Sequence, residues 1–390
     1  MNKPGHVHII IAITLSVIFG IMLGSQLDFS KKFSLFPENP EEVKIRKLLQ
    51  FIRHEYVEEV NTDSILEIAI DDIMGSLDPH SVYIPKEELE RTREQMNGKF
   101  KGIGIRFRLY RDTVVIASLI HDGPAEKAGL LPGDRILIVD GDTLYGKLYD
   151  SEQIVEKIKK SKNDEIALKI YRKSGDSILD VAFAKEEVNI ESVPASLMID
   201  EGLGYIRIIR FAKNTREEFH KALEKLTASG MRALVLDLRG NTGGYMNMAV
   251  EVADELLEKG LPIVETRRKN QVTDKVFAQD NGLFENGQVF VLVDENSASA
   301  SEIVAGALQD NDRATIIGRR TYGKGLVQQE MDLGDGSAIR LTTGKYFTPT
   351  GRSIQKPYTK GENDEYFNDH LYRLHNGELF HRDSIPVNEI

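Results

Sequence analysis

From Gly204 onward the chain alternates short β-type runs with longer helical ones, and this alternation constrains the architecture more than any other feature. The runs GYIRII, ALVLDLR and VFVLVDE are apolar and rich in β-branched residues. Between and after them stand TREEFHKALEKLTASG, a helical stretch from about Tyr245 to Glu258, and another from about Ser301 to Gln309. Strands joined by crossover helices do not pair as hairpins, so they predict a largely parallel sheet buried between helices, an α/β core. Sheets of this kind hold ligands at the carboxyl ends of their strands, which directs attention to the turns that follow them.

The rest of the chain follows other patterns. At roughly 150 residues per domain, 390 residues are too many for the core alone. From Gly98 to about Val188 the runs GIGIRFRLY, TVVIASLI, DRILIVDGDTL, EIALKIYR and SILDVAFAKEEV, with helical pieces PAEKAG and SEQIVEKIKK, predict one compact α+β module over 98–188. Residues 31–97 carry helical periodicity, with Ile45, Leu48, Leu49, Ile52 and Tyr56 on one face and Ile65, Ile68, Ile73 and Met74 on another. They read as a helical cap remote from any chemistry. In LDPHSVYIPKEELE a turn precedes Pro85 and a helix follows it, with His80 as a surface turn residue. The core is expected over 189–360, and 361–390 form a polar tail with His370, His375 and His381.

The first thirty residues hold an uncharged apolar run, Ile9–Leu23, behind Lys3. It reads as a membrane anchor in preference to a cleaved export signal, because Met22 stands where cleavage needs a small residue. The leading positive charge keeps the N-terminus inside and places the remainder outside the cytoplasm. Acidic residues outnumber basic ones, 61 to 50, for a net charge of −11, which argues against nucleic acid as a partner. With no cysteine, disulfides, thiolate nucleophiles and cysteine-ligated metals are excluded.

Two turns after core strands are candidates for chemistry. In LDLRGNTGGYM, Gly240, Gly243 and Gly244 let the backbone turn sharply and present N–H groups at a helix start, as an anion or oxyanion requires. A plain strand-to-helix turn explains the same glycines. In VLVDENSASASEIV, Ser297, Ser299 and Ser301 lie where a strand passes into a helix. Ser299-x-x-Glu302 matches a capping box, yet α/β hydrolases present a nucleophile at this kind of turn. Both readings stand. Of nine histidines only His220 falls in the core, on a predicted helix, so a histidine base is poorly supplied. A buried lysine serves instead if its pKa drops from about 10.4 towards 7, and ATIIGRRTYGKGLVQQ offers Lys324 between glycines after a strand. The same segment spells G-x-x-x-x-G-K, but Gly325 stands where a phosphate-binding loop needs Ser or Thr and a strand follows where it needs a helix, so nucleotide hydrolysis is not expected.

Taken together in order, GIGI…GPAEKAGLLPGDRI, LDLRGNTGG, SASASEIVAGALQD and GRRTYGKGLVQQ closely resemble the C-terminal processing (tail-specific) peptidases, over about Leu77 to Tyr358. The resemblance implies a multidomain fold of helical N-terminal region, PDZ domain and α/β peptidase core. It also implies a serine endopeptidase needing no metal or cofactor, with Ser299 as nucleophile, Lys324 as base and Gln328 as the group that orients the lysine. The oxyanion hole falls on the N–H groups of Gly244 and Ala300. The module over 98–188 resembles a PDZ domain whose Gly102, Ile103, Gly104 and Ile105 hold a peptide carboxylate while the peptide adds as a strand; Lys99, Lys101, Arg106 and Arg108 flank that loop. The implied partners are proteins or peptides with exposed apolar C-termini, the membrane through the N-terminal segment, and a second copy or an adaptor. The stripe Ile45 to Tyr56 serves equally for pairing or for packing within one chain. The rival readings are a catalytically silent PDZ peptide-binding adaptor on the same scaffold and an α/β carrier of hydrophobic ligands.

Overall fold

The computed structural model describes residues 39–159, 164–269, 273–279, 282–359 and 363–380. The apolar run Ile9–Leu23 and His381 lie outside them. Among the described residues no helix is long and apolar enough to cross a membrane. The chain divides into two units, Met1–Ile70 and Asp71–Ile390. In the first, the helix Pro40–Glu55 is capped by Asn39, whose side chain accepts the Glu41 N–H, with Pro40, Glu41 and Glu42 in its first turn. The expected apolar stripe is there but builds no core: the helix buries none of its residues, and Phe51 is 68% exposed. The helix Thr62–Gly75 follows.

The larger unit contains the expected sheet. Strands Ala195–Asp200, Leu203–Arg207, Ala233–Asp237, Gln288–Val293 and Ala314–Gly318 pair in that order, the first pair antiparallel and the rest parallel. The helices Thr215–Ala228, Met246–Asp254 and Ala300–Asp310 bury Leu223, Val252 and Val304 against Leu234, Leu236 and Val291 of the strands. Each such side chain contributes roughly 1.5–3 kcal/mol, enough for this core to act as a rigid platform for the turns at its rim. Asp237 lies beside Leu292 in the parallel register, so the glycine turn after one strand and the serine turn after the other emerge side by side.

A second, antiparallel sheet was not evident from local pattern. Val82–Ile84, Ala338–Phe347, Pro262–Arg268 and Thr273–Phe277 pair in that order, and Leu326–Asp332 adds to Ala338–Phe347. The stretch before Pro85 is thus a strand of this second sheet and not part of a detached cap, and the helix Lys86–Asn97 leads from it to the next module. That module is the predicted α+β unit. Its strands Ile105–Tyr110, Thr113–Leu119, Arg135–Val139, Glu165–Arg172 and Ser177–Ala184 form one antiparallel sheet over a separate core of Ile116, Ile136, Ile154 and Ile166, with helices Pro124–Lys127 and Ser151–Lys159. Its two ends meet where Lys99–Gly102 pairs with Glu186–Asn189.

Candidate active site

The three serines of the SASAS turn differ in what their hydroxyls do. Ser297 is fully buried, donating to the Leu238 carbonyl at 2.9 Å and accepting the Asp294 N–H at 3.0 Å. Ser301 is fully buried and donates to the Asn241 carbonyl at 2.9 Å. Of the three, only Ser299 lines the large cavity, about 950 Å³, at the sheet's rim. Its backbone stands at φ 56°, ψ −114°, a region a residue with a Cβ rarely occupies and one found where a strand turns abruptly into a helix to expose a nucleophile. Position at a helix start and exposure to a cavity therefore coexist at Ser299.

The glycine turn packs directly on this serine. Asn241, fully buried, donates from Nδ2 to the Ile208 carbonyl at 3.0 Å and accepts the Gly243 N–H on Oδ1 at 2.9 Å, while its own carbonyl accepts the Ala298 N–H at 3.0 Å. A Cβ on Gly243 would come within 2.7 Å of Ser299 Cβ and 3.0 Å of Ala300 N, and one on Gly244 within 2.2 Å of the Phe211 carbonyl oxygen. Both glycines have positive φ, 105° and 146°. Contact and conformation alike therefore require glycine. Gly244 and Ala300 line the same cavity as Ser299. Ala300 opens its helix, so its N–H has no intrahelical carbonyl to bond.

Lys324 also lines the cavity. Burial pushes its ammonium from 10.5 down to about 8, with Arg340 adding to the effect and Asp78 and Glu302 opposing it. Its backbone is fixed at both ends, the carbonyl accepting from the Tyr346 hydroxyl and the N–H donating to Glu302 at 2.9 Å. Gln328 lines the cavity as well, and its Nε2 donates to the His80 carbonyl at 2.6 Å. A carbonyl only accepts, so the amide must present its nitrogen there and turn its oxygen elsewhere.

Several residues of the site escaped the sequence reading. Glu302, only 3% exposed, accepts four hydrogen bonds: Ser299 N–H at 2.7 Å, Thr321 hydroxyl at 2.7 Å, Gly323 N–H at 2.7 Å and Lys324 N–H at 2.9 Å. One carboxylate thus ties the serine turn to the lysine loop. Burial raises its pKa above that of an ordinary glutamate, against these donors. The capping-box match at Ser299-x-x-Glu302 was the visible trace of this role. His80 is the clearest correction. It is not a surface turn residue: it is half-buried beside Lys324, and burial together with that lysine pushes its imidazole down to about 4, so it stays neutral at physiological pH. Asp78 builds its turn, accepting His80 N–H at 2.9 Å, Ser81 N–H at 3.0 Å and the Thr342 hydroxyl at 3.0 Å. The G-x-x-x-x-G-K segment ends in the strand Leu326–Asp332, with no helix start to hold a phosphate.

In the α+β module, Ile103 is 2% exposed and belongs to the core. The carbonyls of Ile103 and Gly104 accept the N–H groups of Ala125 and Ile120, each at 2.9 Å, and Gly104 has φ 74°. Gly102 ends the strand paired with Glu186–Asn189, and Ile105 begins the sheet's first strand. Among the described residues that strand pairs on one side only, with Thr113–Leu119. The flanking cations Lys99, Lys101 and Arg106 already face Glu187, Asp164 and Glu191.

Residues 102–183 match the PDZ domain and residues 202–362 match peptidase family S41. A carboxy-terminal-processing protease of Bartonella bacilliformis is 36% identical over 328 residues, covering 81% of this chain and 74% of its own length. This chain belongs to peptidase family S41. The carboxy-terminal processing protease CtpB of Bacillus subtilis is also 36% identical, over 80% of this chain, which spans 65% of that protein's length. The solved structure of the photosystem II D1 C-terminal processing protease aligns at TM-score 0.46 and 26% identity, over 83% of this chain and 93% of its own. S41 membership makes the chain a relative of serine-type carboxy-terminal processing proteases, built as a PDZ domain joined to a peptidase core.

Proposed function

We propose that this chain is a serine endopeptidase that cleaves extracytoplasmic proteins near their C-termini, with Ser299 as nucleophile and Lys324 as general base. The observation that carries the reading is one cavity lined by both a serine in a strained turn and a lysine whose pKa burial lowers to about 8. At pH 7.4 a lysine of pKa 8 is roughly 20% neutral, against about 0.1% for an unperturbed one, so burial raises the supply of base more than a hundredfold. Neutral Lys324 takes the proton of Ser299 Oγ as the oxygen attacks the scissile carbonyl. The N–H groups of Gly244 and Ala300 receive the developing oxyanion. The lysine then protonates the leaving amine, and water activated by the same lysine releases the acyl-enzyme. Gln328, which lines the cavity and whose Nε2 is held by the His80 carbonyl, orients the lysine in this reading through its remaining amide oxygen.

The PDZ domain, over 98–188, presents the edge strand Ile105–Tyr110, unpaired on one side among the described residues, to the substrate's tail, and the amides of the Gly102–Ile105 loop take the terminal carboxylate. The peptidase core extends over 189–360. An anchor in the first thirty residues holds the enzyme at the outer face of the cytoplasmic membrane. The silent-adaptor reading is not favoured, because it leaves the depressed lysine and the strained serine without a purpose. The test is proteolysis of an unfolded protein with an apolar C-terminus by the full chain and by Ser299→Ala, across pH 6 to 10. Cleavage by the unsubstituted chain alone, rising with pH, is expected; equal cleavage by Ser299→Ala refutes the assignment.

A further inference from the structure

The segment 319–325 that carries Lys324 has no regular structure of its own, so its backbone groups must find partners elsewhere. Some come from Glu302. Others come from the C-terminal tail, which the sequence presents as a polar appendage. Arg373, on the helix Asp369–His375, is 2% exposed. Its guanidinium donates to the Arg320 carbonyl and to the Thr321 carbonyl at 3.3 Å, and its Nε donates to Glu378 at 2.9 Å. Glu378 in turn grips the Arg320 side chain through both oxygens, at 2.8 and 2.9 Å. A buried arginine is costly unless its donors are used, and here they are spent on two consecutive carbonyls of the lysine loop.

A second set of contacts runs through the helix Asn363–Phe367. The Tyr366 hydroxyl is 2.7 Å from His80 Nε2 and accepts from Gln355 Nε2 at 3.0 Å. Lys356 Nζ sits 4.3 Å from the ring centre of Tyr322 and 4.1 Å from that of Tyr366, and donates to the Tyr366 carbonyl at 2.9 Å. Gln355 and Lys356, which belong to the core and on which Tyr366 packs, bond the loop's backbone in turn: Lys356 N–H to the Gly323 carbonyl at 2.9 Å, and Gly325 N–H to Gln355 Oε1 at 3.0 Å. The tail therefore reaches the base through the loop below it and, by way of His80, through the carbonyl that holds Gln328.

We propose that the tail segment 363–380 is a positioning element for the lysine loop, with Arg373 as its anchor and Tyr366 as its second hold. This rests on Lys324 being the general base. The charged and titratable groups around Lys324 are Arg340 from the second sheet, Asp78 and His80 from the turn before Val82, Glu302 from the nucleophile helix, and Tyr346. None of them is altered by a change at Arg373. A loosened loop admits water to Lys324 and lets its pKa climb back toward 10.5, so the acid limb of the rate profile moves to higher pH.

The test uses the full chain as Arg373→Gln, Arg373→Lys, Tyr366→Phe and Tyr372→Ala, the last a 69% exposed position on the same helix. kcat and KM are measured against pH on one unfolded substrate, with Ser299→Ala as blank. Arg373→Gln is expected to lower kcat about 10- to 100-fold, the scale of a 1 Å misplacement. KM stays within about twofold and the acid limb shifts up by about one pH unit or more. Arg373→Lys recovers part of the loss, and Tyr372→Ala matches the unsubstituted protein. An unshifted limb in Arg373→Gln, whether kcat is unchanged or falls only with the folded fraction, overturns the proposal. If Arg373→Gln does not fold, Tyr366→Phe decides: a limb shifted upward supports the tail's role and an unshifted one overturns it. Should the unsubstituted chain prove inactive, the Ser–Lys reading fails separately. Amide exchange then reads the tail directly: faster exchange at Gly323 and Lys324 in Arg373→Gln, or in Tyr366→Phe if that variant alone folds, supports it, and unchanged exchange overturns it.

Discussion

Replacing Glu302 by glutamine is the sharpest perturbation of the site, because it changes one atom type and almost no volume. The carboxylate accepts four donors, Ser299 and Lys324 N–H on one oxygen and the Thr321 hydroxyl and Gly323 N–H on the other. An amide has only one accepting end. With its oxygen toward Ser299 and Lys324, its NH2 faces the Thr321 hydroxyl, which can rotate to accept, and the Gly323 N–H, which cannot. With the amide reversed, two buried N–H groups lose their acceptor. The first orientation is therefore preferred, leaving one orphaned donor at about 1–3 kcal/mol, partly offset because a neutral group is easier to bury than a charge. A net destabilisation of about 1–2 kcal/mol is expected, read as a lowered melting temperature.

Activity should fall further, about 10- to 100-fold in kcat, because Glu302 holds the Ser299 N–H and the lysine loop at once, with the Tyr322 N–H to Ser297 carbonyl bond left as the other backbone tie between them. The pH dependence carries the decisive sign. Glu302 is a negative neighbour that raises the Lys324 pKa. In the preferred orientation the Lys324 N–H keeps its acceptor and the lysine stays buried, so losing the negative charge lowers its pKa further and the acid limb of kcat/KM moves to lower pH even as the plateau drops. The assay is peptide hydrolysis from pH 6 to 10 beside a thermal melt at each pH. An unchanged plateau, or a limb that moves upward, refutes the argument.

Lys324→Met should abolish hydrolysis and yet stabilise the fold. A lysine whose pKa falls from 10.5 unfolded to about 8 folded resists protonation in the native state. It therefore costs about 3 kcal/mol below pH 8, a penalty relieved as pH rises toward 10.5. The stability gain of the methionine variant should be full at pH 7 and vanish near pH 10.5, as denaturant titrations at both values would show; equal gains at both contradict the depressed pKa. Gly244→Ala should cost at least tenfold in kcat with Ser299 and Lys324 intact, since a Cβ there meets the Phe211 carbonyl at 2.2 Å and swings the oxyanion amide away. Normal turnover in that variant would remove Gly244 from the oxyanion hole.

The sequence disclosed the parts of this protein whose signals are local. The parallel sheet, the α+β module and the turns at Gly243–Gly244 and Ser297–Ser301 follow from periodicity and from glycine and serine chemistry within a dozen residues. Pairings across long separations stayed hidden. Val82–Ile84 is a three-residue strand whose partner is Ala338–Arg340, and no local pattern announces such a match. His80 looked like solvent-facing turn chemistry because the residues packed on it, Tyr322, Tyr366 and Phe367, lie 242 to 287 positions further along the chain. Arg373 was invisible for a related reason: a lone arginine in a polar tail reads as solvated until the carbonyls it serves are seen. Glu302 was half legible, its bond to the Ser299 N–H being the capping box and its three bonds to the lysine loop being tertiary.

The pairing of Val82–Ile84 with Ala338–Arg340 also sets an order of events. A chain made from its N-terminus carries the Asp78–Ser81 turn and the whole PDZ domain long before their partners in the second sheet exist. Ser299 precedes Lys324, and both precede Tyr366 and Arg373. During synthesis Ser299 is therefore present while the Lys324 loop is still unframed. The segment 363–380 follows both in the chain, so the lysine loop meets its tail contacts at Tyr366 and Arg373 only after every strand of the two sheets has been made.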